Sequence, residues 1–141
     1  MTREQIVTLL NRRQAAMDRH DVRALVALHS EDCVVESPMV GTVTGRAAIE
    51  QAHQAIFNWF PDLVVSSEEV LIDADRVAQV VTLSGTDIGG FMGLPPTGKR
   101  FRVPVMHLYT MRNDLIVAER RIYDFTSVLM QVGILKAKPA L

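Results

Sequence analysis

The periodicity of apolar residues changes once along the chain, at Phe60-Pro61-Asp62, and this change limits the folds that are possible. Before it, apolar residues recur at the helical period. After it, four segments rich in Val, Ile, Leu, Thr and Tyr have the composition of β-strands. Proline disfavours helical geometry in the preceding residue, so a helix is expected to end at Phe60. Helices first and a strand meander afterwards predict an α+β domain in which one curved sheet wraps the helices.

Three helices are predicted before Pro61. Thr2 and Gln5 match a capping box in front of a first helix that runs to about His20. Asp21 can cap a shorter second helix, and Thr44 precedes a third helix whose apolar residues share one face.

The remainder of the chain is predicted to form strands and turns. The expected strands are a brief one at 33–36 and longer ones at 63–72, 77–86, 100–111 and 115–125. Residues 89–98 contain too many glycines and prolines for a strand. We therefore expect a loop there, with Phe91 and Met92 offering apolar cover for a pocket.

Length and charge favour one ordinary globular domain spanning residues 1–141. Fifteen Lys+Arg against sixteen Asp+Glu give a net charge of −1, and no basic run interleaves with aromatics, so nucleic acid is not an expected partner. No apolar run approaches the ~18 residues of a membrane span, and the first residues have no signal-peptide pattern. The single cysteine, Cys33, lies in an apolar stretch, which favours a buried thiol and a reducing cytoplasm.

Three stretches together resemble the SnoaL-like, polyketide-cyclase-like branch of the nuclear transport factor 2 superfamily. They are 45–49 leading to 60–63, then 93–99, then Asp124 followed by Leu129, Gln131 and Gly133. The resemblance implies a cone-shaped fold with three N-terminal helices packed on a curved, mostly antiparallel sheet around an apolar pocket. The superfamily includes isomerases, hydrolases, cyclases, dehydratases and non-catalytic binders, so the fold does not fix the function.

The resemblance also implies a role for Asp124. In the family's cyclases an aspartate near the end of the last strand is the general acid/base, and the position nine residues before Gly133 is Asp124. The family usually has tryptophan four residues before that aspartate, whereas this chain has Arg120. The alternative for Asp124 is a structural role as the cap of a helix from about Thr126.

Two other branches of the superfamily fit the sequence less well. Ketosteroid isomerases use the aspartate of a Glu-Asp-Pro triplet in the first strand, and the corresponding triplet here is Glu36-Ser37-Pro38. Limonene-epoxide hydrolases use an Arg-x-Asp pair on a strand, but both such triplets here, 19–21 and 112–114, fall at predicted turns.

A hairpin turn at Asn113-Asp114 predicts which side chains share a face. Residues whose numbers sum to 227 would then lie opposite each other, which pairs His107 with Arg120. The predicted pocket face contains Val103, Val105, His107, Tyr109, Ile116, Ala118, Arg120, Ile122 and Asp124. The predicted outer face contains an apolar patch that suggests a homodimer, formed by Met106, Leu108, Val117 and Tyr123, with Glu119 and Arg121 as its polar rim. A one-residue bulge would reverse part of this assignment.

The predicted catalytic residues are Asp124, His107 and Arg120. Apolar neighbours would raise the pKa of Asp124 toward a range useful for proton transfer. The predicted substrate-binding residues are Tyr109, His53, Trp59, Phe91, Met92, Val105 and Ile122. No metal is expected, because Ile56 and Phe57 occupy the positions at which a second ligand would accompany His53 on its helix.

These observations lead to two hypotheses about function. The first is a cofactor-independent acid/base enzyme acting on a bulky, apolar, carbonyl-bearing molecule by aldol-type cyclisation, isomerisation or hydration. The second is a non-catalytic protein that holds an apolar small molecule or a partner chain in the same cavity.

Overall fold

The computed structural model describes residues 1–136 of the 141-residue chain. It confirms the α+β class and the three predicted N-terminal helices, and it adds a fourth helix after the sheet. The helices are α1 (Arg3–Asp18), α2 (Val22–Val26), α3 (Arg46–Trp59) and α4 (Phe125–Gln131). The strands are β1 (His29–Ser37), β2 (Gly41–Thr44), β3 (Val64–Asp73), β4 (Arg76–Thr86), β5 (Arg100–Arg112) and β6 (Leu115–Ile122).

The six strands form one mixed sheet in the order β2-β1-β6-β5-β4-β3. Strand β1 runs parallel to β6, and the other neighbouring strands are antiparallel. The hairpin formed by β1 and β2 was not predicted, because a proline such as Pro38 does not fit the interior of a strand and so favours a short strand at 33–36. In the structure Pro38 lies in the turn between the two strands, where it interrupts no ladder.

Local capping fixes where the N-terminal helices begin. Thr2 and Gln5 form the predicted capping box, and the Asp21 side chain accepts a hydrogen bond at the start of α2. Thr44 precedes α3, as predicted, and the N-cap of the helix is Gly45. Gly45 has a φ of 89°, a conformation that favours glycine, and its N–H donates to the Cys33 carbonyl at 2.9 Å.

A bulge in β6 changes the register of the β5–β6 hairpin. Asn113 and Asp114 form the predicted turn, both with positive φ, and next to it Met111 lies opposite Ile116 as predicted. Farther along the hairpin, Thr110 lies opposite Ala118, so Val117 is an extra residue on β6. Residue numbers opposite each other therefore sum to 228 beyond the bulge, and the predicted faces of β6 are reversed there.

The inner face of the sheet packs against α1, α2 and α3 to form one hydrophobic core. Cys33 belongs to this core as predicted, and its burial raises the pKa of the thiol to about 12, so it stays protonated. Within residues 1–136 no helix is long and apolar enough to cross a bilayer. The core leaves a cavity between the helices and the sheet.

Candidate active site

The cavity has a volume of about 80 Å³ and a mostly apolar wall. Helices α1 and α3 provide one side, and the inner face of β3 to β6 provides the other. Its lining residues are Arg13, Met17, Ser37, Met39, Val40, Ala52, His53, Ile56, Phe57, Phe60, Leu63, Val65, Val81, Leu83, Phe91, Phe101, Val105, His107, Arg121, Tyr123, Phe125 and Val128. The wall formed by these described residues contains two arginines and two histidines but no carboxylate. Such a combination of apolar surface and few polar groups is typical of small-molecule sites.

The loop after β4 closes one side of the cavity with an aromatic side chain. Phe91 is buried and contacts Trp59 edge to face, with ring centroids 5.3 Å apart. The loop is held by Asp87, a fully buried carboxylate that accepts hydrogen bonds from the N–H groups of Gly90, Phe91 and Thr97. Phe91 is therefore fixed in the wall by backbone contacts as well as by packing.

Glu119 on β6 is the centre of a buried polar cluster. Its carboxylate accepts a hydrogen bond at 2.7 Å from Nδ1 of His107, the diagonal neighbour on β5, which lies two residues from Tyr109, the residue directly opposite Glu119. It also accepts from Nε and Nη2 of Arg121 at 3.0 and 3.3 Å. Because an ionised carboxylate only accepts, the proton of the neutral His107 ring lies on Nδ1. Nε2 of His107 is then an acceptor, and it makes no hydrogen bond with a described residue.

The helices add two more residues to this cluster. Arg13 on α1 places Nη2 3.5 Å from Oε1 of Glu119, and its guanidinium lies 5.5 Å from the centre of the Tyr109 ring. His53 on α3 donates from Nδ1 to the Ile49 carbonyl at 2.9 Å. Its Nε2 therefore accepts from Nη2 of Arg121, 3.1 Å away.

Burial and the two arginines determine the charge states in this cluster. Burial raises the pKa of Glu119, but Arg121, Arg13 and the hydrogen bond from His107 outweigh it, so the net pKa lies well below the usual value. Burial lowers the pKa of His107, the hydrogen bond and charge of Glu119 raise it, and the arginines lower it again, to about 4. Burial, with Arg121 next, lowers the pKa of His53 to about 3. At neutral pH both imidazoles are uncharged and Glu119 is ionised.

The structure contradicts the predicted positions of three residues in the pocket wall. Arg120 lies on the outer face of the sheet, where its side chain is 64% exposed and its Nε is 3.9 Å from Glu36. Ile122 also points outward. Asp124 is exposed and caps α4, accepting a hydrogen bond from the Ser127 N–H at 2.9 Å. The bulge at Val117 explains the first two errors, and the argument for a desolvated Asp124 loses its basis.

Other predicted residues do meet at the cavity. His107, His53, Phe91 and Val105 line it, as predicted. Tyr109 lies behind the wall, fully buried and stacked on the His107 ring, with centroids 5.4 Å apart. Two predicted lining residues lie outside the wall: Trp59 supports Phe91 from behind, and Met92 is exposed.

Sequence reasoning missed Arg13, Glu119 and Arg121. Arg13 could have been found, because it occupies the apolar face of α1 between Leu10 and Met17 at helical spacing. Glu119, Arg121 and Tyr123 were predicted on the outer face, because the sequence does not show where the bulge that turns them inward lies; Arg121 and Tyr123 line the cavity. No cluster of three or more potential metal ligands occurs within residues 1–136.

His107, Glu119 and Arg121 are arranged in a way that suits proton transfer. A carboxylate holds one imidazole nitrogen and leaves the other as a free base at an apolar cavity, which is how a histidine is oriented for proton transfer. The adjacent Arg121 supplies N–H donors and positive charge, which can stabilise a developing oxyanion.

Comparisons with solved structures identify the same fold in other proteins. Solved structures of the same fold include TsrD from Streptomyces laurentii, at 21% identity and a TM-score of 0.84, covering 96% of this chain and 99% of that one. A protein from Jannaschia sp. CCS1, described as a proposed SnoaL-like polyketide cyclase, has 22% identity and a TM-score of 0.84, with 94% of each chain covered. AclR from Streptomyces galilaeus, described as a proposed hydroxylase, has 26% identity and a TM-score of 0.82, covering 96% of this chain and 89% of that one.

The family assignment rests on the sequence as well as on the fold. No curated protein matches the chain. The family model described as SnoaL-like polyketide cyclase, however, matches residues 7–132, which include the complete sheet, helices α2 to α4 and most of α1. The chain therefore belongs to the SnoaL-like polyketide cyclase family, within the nuclear transport factor 2-like fold.

Proposed function

We propose that the protein is a cofactor-independent acid/base enzyme that acts on a bulky, apolar, carbonyl-bearing molecule. The reaction class is aldol-type cyclisation, isomerisation or a related hydration. The observation that carries the proposal is the 2.7 Å contact between Nδ1 of His107 and the buried Glu119, which leaves Nε2 of His107 free at the apolar cavity.

The proposed mechanism assigns one task to each residue. Nε2 of His107 removes a proton from the carbon next to the substrate carbonyl, which leaves an enolate and an imidazolium. Glu119 stabilises the imidazolium through Nδ1–H and acts as a positioning residue. Arg121 stabilises the enolate oxygen, and the imidazolium then returns the proton to the product. Asp124 has no place in this scheme, since it caps α4 outside the cavity wall.

A binding protein remains the second candidate, and one observation favours it. The pKa of His107, lowered to about 4 by burial and the arginines, makes the free imidazole a weak base. A cavity that only binds a ligand does not require a stronger base at this position.

Proton exchange on a simple ketone separates the two candidates. 2-Tetralone is bulky, apolar and enolisable, and proton NMR in deuterium oxide follows loss of its α-protons. We expect the wild type to accelerate this exchange above the buffer rate and His107→Asn to remove the acceleration. His20→Asn is the matched control, because His20 does not line the cavity and its ring stacks on Phe57, a residue of the wall. Bound tetralone with no accelerated exchange would refute the enzyme proposal and favour the binder.

A further inference from the structure

The charges at the cavity do not balance. Arg13 and Arg121 bring two guanidinium groups to its wall, and both contact the same carboxylate, that of Glu119. The remaining titratable groups that face or adjoin the cluster are His29, His53, His107, Tyr109, Tyr123 and Cys33. None of these is an acid ionised at neutral pH, because burial raises the pKa of both tyrosines and of the thiol. The described residues of the cluster therefore carry a net charge of about +1.

Two buried nitrogens beside Glu119 also lack hydrogen-bond partners within the described residues: Nε of Arg13 and Nε2 of His29. Arg121 donates from Nε and Nη2 to Glu119 and His53, and its Nη1 makes no hydrogen bond with a described residue, so Nη1 is available to a ligand. An unpaired charge and an unpaired donor on Arg13 are unfavourable in an apolar interior, so a compensating negative group would be stabilised there.

We propose that the cavity selects ligands whose apolar body carries one negatively charged oxygen, namely an enolate, a phenolate or a carboxylate. The charged oxygen binds the Arg121 side of the wall, where it neutralises the second guanidinium, and the apolar body fills the space between α1, α3 and the sheet. The inference rests on the proposed function, because it names the substrate class of the same cavity. It concerns binding alone and needs no turnover.

The charge of the ligand can be tested with an isosteric pair. Calorimetry at pH 7.5 and low salt compares 2-naphthoate with 2-naphthamide, which have the same ring and nearly the same shape but differ by one charge. We expect the wild type to bind naphthoate roughly ten- to hundredfold more tightly, as for a charge-assisted hydrogen bond in place of a neutral one. Equal affinities, or tighter binding of the amide, would overturn the proposal.

Variants locate the source of that preference. Arg121→Met should bring the two affinities within about threefold, whereas Arg120→Met, the neighbouring arginine on the outer face, should keep the wild-type ratio. An undiminished ratio in Arg121→Met would contradict the assigned position. If Arg121→Met does not fold, Arg13→Met replaces it. The ratio of the two affinities in the wild type tests the preference for a charged ligand even without a variant. Tetralone exchange measures proton transfer, whereas the affinity ratio measures the preference for a charged ligand. The enzyme proposal and the ligand proposal can therefore fail independently.

Discussion

Replacing Glu119 with glutamine is the perturbation that tests the cluster most directly. The side chain keeps its shape but loses the charge that holds Arg121 at 3.0 Å, Arg13 at 3.5 Å and His107 at 2.7 Å. Two guanidinium groups then remain buried without a carboxylate. Removing one partner of a buried ion pair typically costs about 3–5 kcal/mol, and we expect a loss of that size in the free energy of unfolding.

Urea unfolding measures this loss. With a slope of about 2 kcal/mol per molar urea, the midpoint should fall by roughly 2 M, and circular dichroism and Trp59 fluorescence should report the same transition. Glu36→Gln is the matched control: Glu36 pairs with Arg120 at 3.9 Å, and the two side chains are 54% and 64% exposed. Exposed pairs contribute little, so the control should change stability by less than about 1 kcal/mol. A Glu119→Gln variant that loses no more than the control would refute the argument that the cluster is an ion-paired core.

Three further predictions concern the cap of α4, the two buried histidines of the cluster and the outer face of the sheet. Asp124→Ala should lower the free energy of unfolding by about 1 kcal/mol, because the cap of α4 is lost, whereas Asp124→Asn should be nearly neutral. Both variants should still accelerate tetralone exchange. Loss of the acceleration in Asp124→Asn would support a catalytic role for Asp124 after all. Since the folded pKa values of His53 and His107 lie below the unfolded value of 6.5, stability should fall as pH drops from about 6.5 toward 4, by roughly 1.4 kcal/mol per pH unit for each residue. His53→Gln should reduce that slope in urea titrations at several pH values, and an unchanged slope would contradict the assignment. We also propose a homodimer that forms through the outer face of the sheet. Sedimentation equilibrium should show a dimeric wild type and a larger monomer fraction for Leu108→Glu. A monomeric wild type would refute this proposal.

The elements that the sequence predicted correctly are those with a local cause. The capping box at Thr2, the proline at Pro61 and the turn at Asn113-Asp114 each act within a few residues, and the structure has a boundary at every one of them. The β1–β2 hairpin was missed because a strand pairing depends on partners that are distant in sequence. The parallel contact of β1 with β6 has the same character: no short-range signal specifies it.

Only part of the outer face of the sheet was predicted correctly, because the position of the bulge in β6 has no local signal in the sequence. Met106 and Leu108 on β5 do point away from the cavity, as their alternation required, and Met106 is 39% exposed. Beyond the bulge, Ile122 of β6 joins them, directly opposite Met106. The predicted polar rim formed by Glu119 and Arg121 was wrong, since both side chains belong to the interior. The apolar patch therefore persists with a different membership, and the dimer remains a proposal.

One extra residue in β6 decides which charged side chains form the site. Residues 119–121 read Glu-Arg-Arg, so either register turns an arginine inward, and strand alternation alone cannot choose between them. The register without a bulge would bury Arg120 with no carboxylate beside it, whereas the bulged register buries Arg121 together with Glu119. Arg13 adds an independent constraint, because it lies on the apolar face of α1 and is buried in either register of β6. An interior that already holds one guanidinium is better stabilised by a register that also brings in a carboxylate. The helix pattern at Arg13 therefore contains the information that the strand pattern lacks, and the two together favour the observed site.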